Sequence, residues 1–356
     1  MVPSSDDLHS RLLLSGEFPP DRAVRPAFLT VPLSWLYGMG VAVHQSVQSL
    51  RGTHRPPVPV ISVGNITVGG TGKTPCVIEL VRWIAAREPR LARPNAIAVL
   101  SRGYGRTDRR LVVVEPDMDY ARTGDEPLLI KRALPQAAVV VHARRSHAAR
   151  FAVETLGAKL LILDDGFQHR ALARDLDLVV LDPVAPFGNG RLLPAGPLRE
   201  PQWALSRAHA LALVGEDAPG LSPGVEIPAL PVVIFDSELE LPPELSTGLS
   251  TKVWLLTSIA RPSRLYNQLI RKEIQVVGHS LYPDHCRFSD SDLHRVSQAA
   301  KQAGAGLILT TAKDRVRIRR WASDLPLVTV ELRLRVKSPE ILRSLMEPLL
   351  GKAVAS

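Results

Sequence analysis

Val58-Pro59-Val60-Ile61-Ser62-Val63-Gly64-Asn65-Ile66-Thr67-Val68-Gly69-Gly70-Thr71-Gly72-Lys73-Thr74-Pro75 is the stretch on which the fold turns. An apolar, β-branched run predicts a buried strand over Val58–Val63. The glycines after it let successive backbone N–H groups curl around phosphate oxygens with no Cβ in the way. Pro75 suits the first turn of a helix, where its missing N–H costs nothing, and Val77, Leu80, Val81 and Ile84 then recur on one face through Arg87. Strand, glycine loop and helix N-terminus in this order form an anion cradle. Thr67, Val68, Gly69, Gly70, Thr71, Gly72, Lys73 and Thr74 are the expected nucleotide-binding residues, with Lys73 reaching the β and γ phosphates and the Thr74 hydroxyl facing Mg²⁺. Position 67 departs from the strict phosphate-loop pattern, which has glycine there.

Outward from this loop the same alternation continues. Strands are expected at Ala96–Leu100, Leu111–Val114, Ala137–His142, Lys159–Leu163 and Leu176–Leu181, with a helix at Ser146–Leu156. Apolar strands separated by helices predict a mainly parallel sheet covered on both faces. The strand Leu160–Leu163 ends in Asp164-Asp165-Gly166. Carboxylates at a strand end beside a phosphate loop are placed to hold Mg²⁺ directly or through water. Without that loop, the same triplet reads as a solvated turn or a helix cap.

Prolines at 219, 223, 228, 231, 242 and 243 mark a linker, after which strands (Val253–Ser258, Ile274–Val277, Leu307–Thr310, Leu327–Val330) again alternate with helices (Pro262–Lys272, Asp290–Ala303, Pro339–Leu350). The expected architecture is α/β: a phosphate-loop NTPase-like parallel-sheet domain, a smaller α/β C-terminal domain and an N-terminal membrane-associated helix. The expected boundaries are 1–55, 56–217, a proline-rich linker at 218–250, and 251–356.

The 356 residues are 45% hydrophobic and 22% charged, a composition that fills a core and excludes disorder. The net charge of +9 suits an anionic partner without choosing among nucleic acid, acidic lipid and phosphorylated small molecules. Cys76 and Cys286 give neither a disulfide framework nor a metal-binding spacing. Pro26–Leu50 carries no formally charged residue and is flanked by Arg22, Arg25, Arg51 and Arg55. Pro32, Ser34, Gly38 and Gly40 interrupt it, short of the roughly 20 predominantly apolar residues a span needs. The favoured reading is an interfacial segment with Trp35 and Tyr37 at headgroup level; the alternatives are a helix packed on the core and a true span.

The continuation Asp164-Asp165-Gly166-Phe167-Gln168-His169-Arg170 is more specific. Together with Ser62–Pro75, Ser101-Arg102-Gly103-Tyr104-Gly105, Gly124-Asp125-Glu126-Pro127, Gly188–Pro201, Pro283-Asp284-His285 and Thr311-Ala312-Lys313-Asp314, it resembles the tetraacyldisaccharide 4'-kinases of lipid A biosynthesis, from about residue 30 to 345. The resemblance implies ATP and Mg²⁺ as cofactors, and γ-phosphoryl transfer to the 4'-hydroxyl of a tetraacylated glucosamine disaccharide 1-phosphate. It implies work at the cytoplasmic face of the bacterial inner membrane, with the glycolipid and the membrane surface as partners and no nucleic acid. It also implies Asp125 and His285 as the catalytic pair alongside Lys73, and two α/β domains. A carboxylate at Asp125 would accept the proton of a poorly acidic sugar hydroxyl, with His285 orienting or tuning it. The alternative for Asp125, compatible with that role, is the cap of a helix over Leu128–Leu134, and for His285 a surface-loop histidine; in the catalytic reading Asp284 orients His285. Thr74, Asp164, Asp165 and Glu200 are the candidate metal ligands. Arg102, Tyr104, Arg191 and Arg199 are candidates for the acceptor, with Arg199 binding the lipid phosphate or stabilising the transferring charge. The chain departs from the family's usual pattern at Cys286 and at Ile259-Ala260-Arg261-Pro262. A phosphate-loop ATPase with no lipid acceptor and a non-catalytic nucleotide-binding adaptor are the competing readings.

Overall fold

A computed structural model describes residues 30–355 except 51, 217–220, 222–224 and 247–250. The described chain forms two units: residues 30–238 with 333–355, and residues 239–332.

In the first unit the strands are β1 (Val60–Gly64), β2 (Ile97–Ser101), β3 (Val112–Val113), β4 (Ala138–Val141), β5 (Leu160–Asp164), β6 (Leu176–Leu181), β7 (Ala210–Gly215) and the start of β8 (Val232–Glu240). Their order is β8-β7-β6-β1-β5-β2-β4-β3, parallel throughout except for the antiparallel pair of β3 and β4. Strands β1, β2, β4, β5, β6 and β7 are buried along their whole length. That is why they read as unbroken apolar runs rather than alternating ones. β1 lies between β5 and β6, with Val63 opposite Asp164. The register therefore sets the phosphate loop beside the aspartate pair, at the strands' carboxyl ends.

The second unit holds a smaller parallel sheet, β10 (Val276–Leu281), β9 (Val253–Thr257), β11 (Leu307–Thr311) and β12 (Leu327–Val336), in that order. Leu255, Leu265, Leu269, Leu309 and Val330 pack in one core cluster of this unit, and Trp254, Leu256, Val296 and Ile308 in another.

The observed division differs from the expected boundaries in two places. The proline-rich stretch contains β8, which pairs in parallel with β7 and so belongs to the first sheet up to residue 238. The helix Pro339–Ala355 also belongs to the first unit, burying Leu342, Met346, Leu349 and Ala353. Strand β7 was not expected at all.

The N-terminal element is a helix over Thr30–Leu50, and no described helix is long and apolar enough to cross a membrane. One side packs on the first unit: Ser34 is buried, and the Tyr37 hydroxyl donates to the Arg199 carbonyl at 3.3 Å. The other side leaves Leu33, Trp35, Leu36, Met39 and Val43 exposed, Trp35 by 71%. Tyr37 therefore turns toward the protein, contrary to its expected place at headgroup level beside Trp35. The expected segment's first residues, 26–29, and the flanking Arg22, Arg25 and Arg51 lie outside the described residues.

Candidate active site

The loop after β1 closes on itself before any ligand is considered. Asn65 donates from Nδ2 to the Thr71 hydroxyl at 2.9 Å and accepts from the Lys73 ammonium at 3.1 Å. Val68 N–H donates to the Pro197 carbonyl at 2.8 Å and Arg199 N–H to the Ile66 carbonyl at 2.7 Å, tying the loop to the Gly188–Pro201 segment. Gly72, at φ 89°, caps the helix Lys73–Arg87, and a Cβ there would meet Val214 Cγ1 at 2.8 Å. Left-handed backbone and a close neighbour together require glycine at this position. Thr67 is buried, in a bridge with Leu198. Thr74 is also buried, while Val68, Gly69 and Gly70 lie at the surface.

Asp165 stands between two cations. Lys73 Nζ lies 3.4 Å from its Oδ1, and Arg199 Nη1 lies 3.0 and 2.8 Å from its two oxygens. Burial alone would raise the Asp165 pKa, but Lys73 and Arg199 outweigh it and hold the carboxyl below its ordinary range. Asp164 is different. It is fully buried, and burial first, then the nearby charges of Glu126 and Asp165, push it up to about 7 against the opposing pull of Lys73 and Ser101. Its Oδ2 accepts from Ser101 Oγ at 3.2 Å, and its Oδ1 is buried with no hydrogen-bond partner.

An orphaned carboxylate oxygen, in a group that burial and neighbouring carboxylates drive toward protonation, fits a divalent cation, which would reverse both effects. No cluster of three acidic, histidine or cysteine ligands occurs among the described residues. That matches an ion held by one or two carboxylates, water and substrate phosphates rather than by a protein cage. Asp164, Asp165 and Thr74 fit that set. Glu200 is buried, and one of its oxygens, Oε2, accepts from Arg207 at 2.7 Å and from Gln45 at 2.9 Å. Through Gln45 it anchors the N-terminal helix, while its Oε1, like Oδ1 of Asp164, is buried with no hydrogen-bond partner. Arg199, expected to bind the lipid phosphate or to stabilise the transferring charge, is engaged by Asp165 here.

Asp125 opens the helix Asp125–Ala133 behind Gly124, is buried, and accepts from Glu126 N–H at 3.0 Å. It is a first-turn residue, with glycine as the cap. Its neighbour Glu126 contributes to the Asp164 shift, so this helix start lies within electrostatic reach of the metal-site aspartate. Arg102, Tyr104 and Arg191 are exposed, Tyr104 by 70%.

Ser101 and Lys313 stand in motifs of the sequence but were given no role there, and Arg145 escaped the sequence reading altogether. Arg145 is buried, its pKa lowered to about 10, first by burial and then by Arg102, while Asp165 and Asp164 pull it back up. A helix-forming arginine gives no hint of this until β4 places it beside the pair. His169 is pushed down to about 4 by burial and by Arg145, Arg174 and Arg102, and so is neutral near pH 7.

In the second unit His285 has φ 60°, unusual for a residue with a Cβ. Asp284 fixes it: the carboxylate accepts from His285 N–H at 3.0 Å and lies 3.7 Å from Nε2. Lys313 Nζ reaches Asp284 at 3.1 Å and His285 Nε2 at 3.4 Å. The next residue, Asp314, is fully buried and accepts from Thr257, Ser258, Thr311 and Arg317 at 2.7–3.1 Å. The expected orientation of His285 by Asp284 is present, with Lys313 as an added member.

Comparison with known proteins agrees with these motifs. The profile of the family described as "Tetraacyldisaccharide-1-P 4'-kinase" matches residues 26–350. A tetraacyldisaccharide 4'-kinase of Anaeromyxobacter sp. (strain Fw109-5) is 42% identical over 82% of this chain and 83% of its own length. One of Syntrophotalea carbinolica is 36% identical over 96% and 97%. The crystal structure of the "apo" form of LpxK from Aquifex aeolicus in complex with ATP is similar at a TM-score of 0.70 and 27% identity, covering 90% of this chain and 98% of that one. With the fold, the loop and the aspartate pair all in place, the chain belongs to the tetraacyldisaccharide-1-P 4'-kinase family.

Proposed function

We propose that the protein transfers the γ-phosphoryl group of ATP to the 4'-hydroxyl of a tetraacylated glucosamine disaccharide 1-phosphate. The observation that carries this reading is the junction of Lys73, Asp165, Asp164 and Ser101 at the carboxyl ends of β1, β5 and β2. The loop Thr67–Thr74 cradles the phosphates through backbone N–H groups, and Lys73 shifts from Asp165 and Asn65 toward the transferring group. Asp164, Asp165 and Thr74 would hold Mg²⁺, which when bound neutralises phosphate charge. Asp125 accepts the proton of the attacking hydroxyl. His285, oriented by Asp284 and Lys313, is the second catalytic residue. Arg102, Tyr104 and Arg191 are the exposed candidates for contacting the acceptor. The uncharged, partly exposed Thr30–Leu50 helix supports peripheral work on a membrane, which in this reading is the cytoplasmic face of the inner membrane.

The test is mass spectrometry of the lipid after incubation with Mg-ATP and detergent-dispersed substrate. Wild type adds one phosphate at the 4' position, whereas Lys73→Ala and Asp125→Ala lose at least about a hundredfold in rate. Steady ATP hydrolysis without any lipid product would refute the reading.

A further inference from the structure

Away from the phosphate loop, the first unit carries a second basic site. An open pocket of about 420 Å³ is lined by Arg55, Arg170, Arg174, Arg207, Asp177 and His209, among others. Its position follows from the register. Arg55 precedes β1, Arg174 and Asp177 bracket the start of β6, and His209 immediately precedes β7. All three strands are parallel, so these residues gather at their amino ends. The phosphate loop leaves the opposite, carboxyl end of β1, and none of its residues, Thr67–Thr74, lines the pocket. The pocket is therefore distinct from the nucleotide site.

The charges around it are unevenly matched. Arg174 pairs with Asp177 at 2.9 Å, Arg207 with Glu200 at 2.7 Å, and the largely exposed Arg55 with Asp175 at 3.4 Å. Arg170 has a neutral partner, the Gln45 side-chain oxygen at 3.4 Å. Arg207 lies over the Phe167 ring at 4.6 Å, and its Nε and Nη1 are buried without hydrogen-bond partners. His209 Nδ1 accepts from Asp177 N–H at 2.9 Å, which leaves the proton of the neutral ring on Nε2 as a donor. Four guanidinium groups and a donor imidazole thus face a pocket whose wall has one carboxylate, Asp177. Planar forks of this kind match phosphate oxygens.

We propose that this pocket is a second phosphate-group site, taking the headgroup phosphate of an anionic lipid. The shared chemistry is a phosphate oxyanion; the neighbouring helix identifies its source. Gln45, which holds Arg170, belongs to the Thr30–Leu50 helix, whose Trp35, Leu36, Met39 and Val43 are exposed. Arg55 follows that helix by a few residues. An apolar helix face with a phosphate fork at its end suits a lipid surface. The inference does not depend on the kinase reading.

The experiment compares full-length wild type with the double variant Arg55→Gln/Arg170→Gln in flotation with vesicles of phosphatidylcholine alone and of phosphatidylcholine with phosphatidylglycerol. A second double variant, Arg109→Gln/Arg110→Gln, removes the same charge at exposed positions outside the pocket. Calorimetric titration with inorganic phosphate forms the other arm; any phosphate taken by the nucleotide loop is common to all the proteins. The expected result is that the pocket variant loses about fivefold in phosphatidylglycerol-dependent affinity per arginine, well beyond the control variant, and keeps its binding to phosphatidylcholine. If only the phosphate heat is lost, the site stands with free phosphate as its ligand. If pocket and control variants behave alike in both arms, the proposal is overturned. Arg55→Gln alone, on a side chain 69% exposed, guards against misfolding and should move the same way.

Discussion

The two aspartates at 164 and 165 are neighbours in sequence and opposites in electrostatics. Asp165 has Lys73 and Arg199, while Asp164 has burial and like charges. Asp164 therefore binds its proton more tightly in the folded chain than in the unfolded one. Without metal, its ionisation costs stability, progressively so as pH rises from about 4 to about 7. Below that window both states are protonated and the penalty vanishes. Asp164→Asn is accordingly expected to raise the metal-free Tm at pH 8 by several degrees and to change it little at pH 4. The same substitution should abolish the additional Tm gain that Mg²⁺ gives wild type with ADP, a gain expected to grow from pH 6 to pH 8. Differential scanning calorimetry at the three pH values checks all of this. The aspartates and Lys73 were legible because strand, glycine loop and acidic strand end are local patterns. The parts played by Ser101 and Arg145 were not, because β2 and β4 supply them from distant parts of the chain; the same holds for Lys313 beside His285, which follows β11. The partners of Arg199 and Glu200 were hidden for a related reason: a charged side chain in sequence does not announce which opposite charge it will meet.

Among the elements, the Thr30–Leu50 helix has two unlike faces. Tyr37 and Gln45 hold it to Arg199 and Glu200, and the exposed apolar residues point elsewhere. Leu36→Gln and Met39→Gln should each weaken vesicle affinity about tenfold, through lost apolar burial, and leave Tm unchanged, since both side chains are already exposed. Flotation with neutral vesicles and a thermal melt separate the two effects. The uncharged composition made this helix legible, but its inward face was not, since Tyr37 and Gln45 take their partners from a loop more than 150 residues away. β7 was missed for a different cause. His209-Ala210-Leu211-Ala212-Leu213-Val214 alternates alanine with larger side chains, and alanine is a weak strand former; the parallel neighbours β6 and β8 override that preference. β8 lies within the stretch assigned to a linker, because the surrounding prolines outweighed its apolar run.

For the molecule as a whole, the nucleotide-binding unit is not closed at residue 217. It needs β8 and the helix Pro339–Ala355, whose Leu342, Met346 and Leu349 are buried. Side chains of this size contribute about 1.5–3 kcal/mol each on burial, and the set approaches the ~5–15 kcal/mol by which a domain is stable. A chain ending at residue 338 is expected to lose ATP binding along with most of its cooperative unfolding, as read by equilibrium dialysis and urea denaturation. A chain without the C-terminal residues would lose nothing of the kind if the expected 251–356 domain were the true one. The chain enters residues 239–332 from β8 and comes back beside that same strand. Lys337 N–H donates to the Ile234 carbonyl at 2.8 Å, and Arg335 pairs with Glu238 at 3.1 Å, the pattern of an antiparallel hairpin. Its turn is an entire folded body. Closing so long a loop from a disordered chain costs more entropy than closing a short one, and contacts this distant in sequence form slowly. An insertion that folds first removes most of that cost by bringing its own ends together. The order of folding then runs against the order of synthesis: the phosphate-binding sheet begins first, waits for the insertion, and acquires its last strand pairing and its terminal helix at the end.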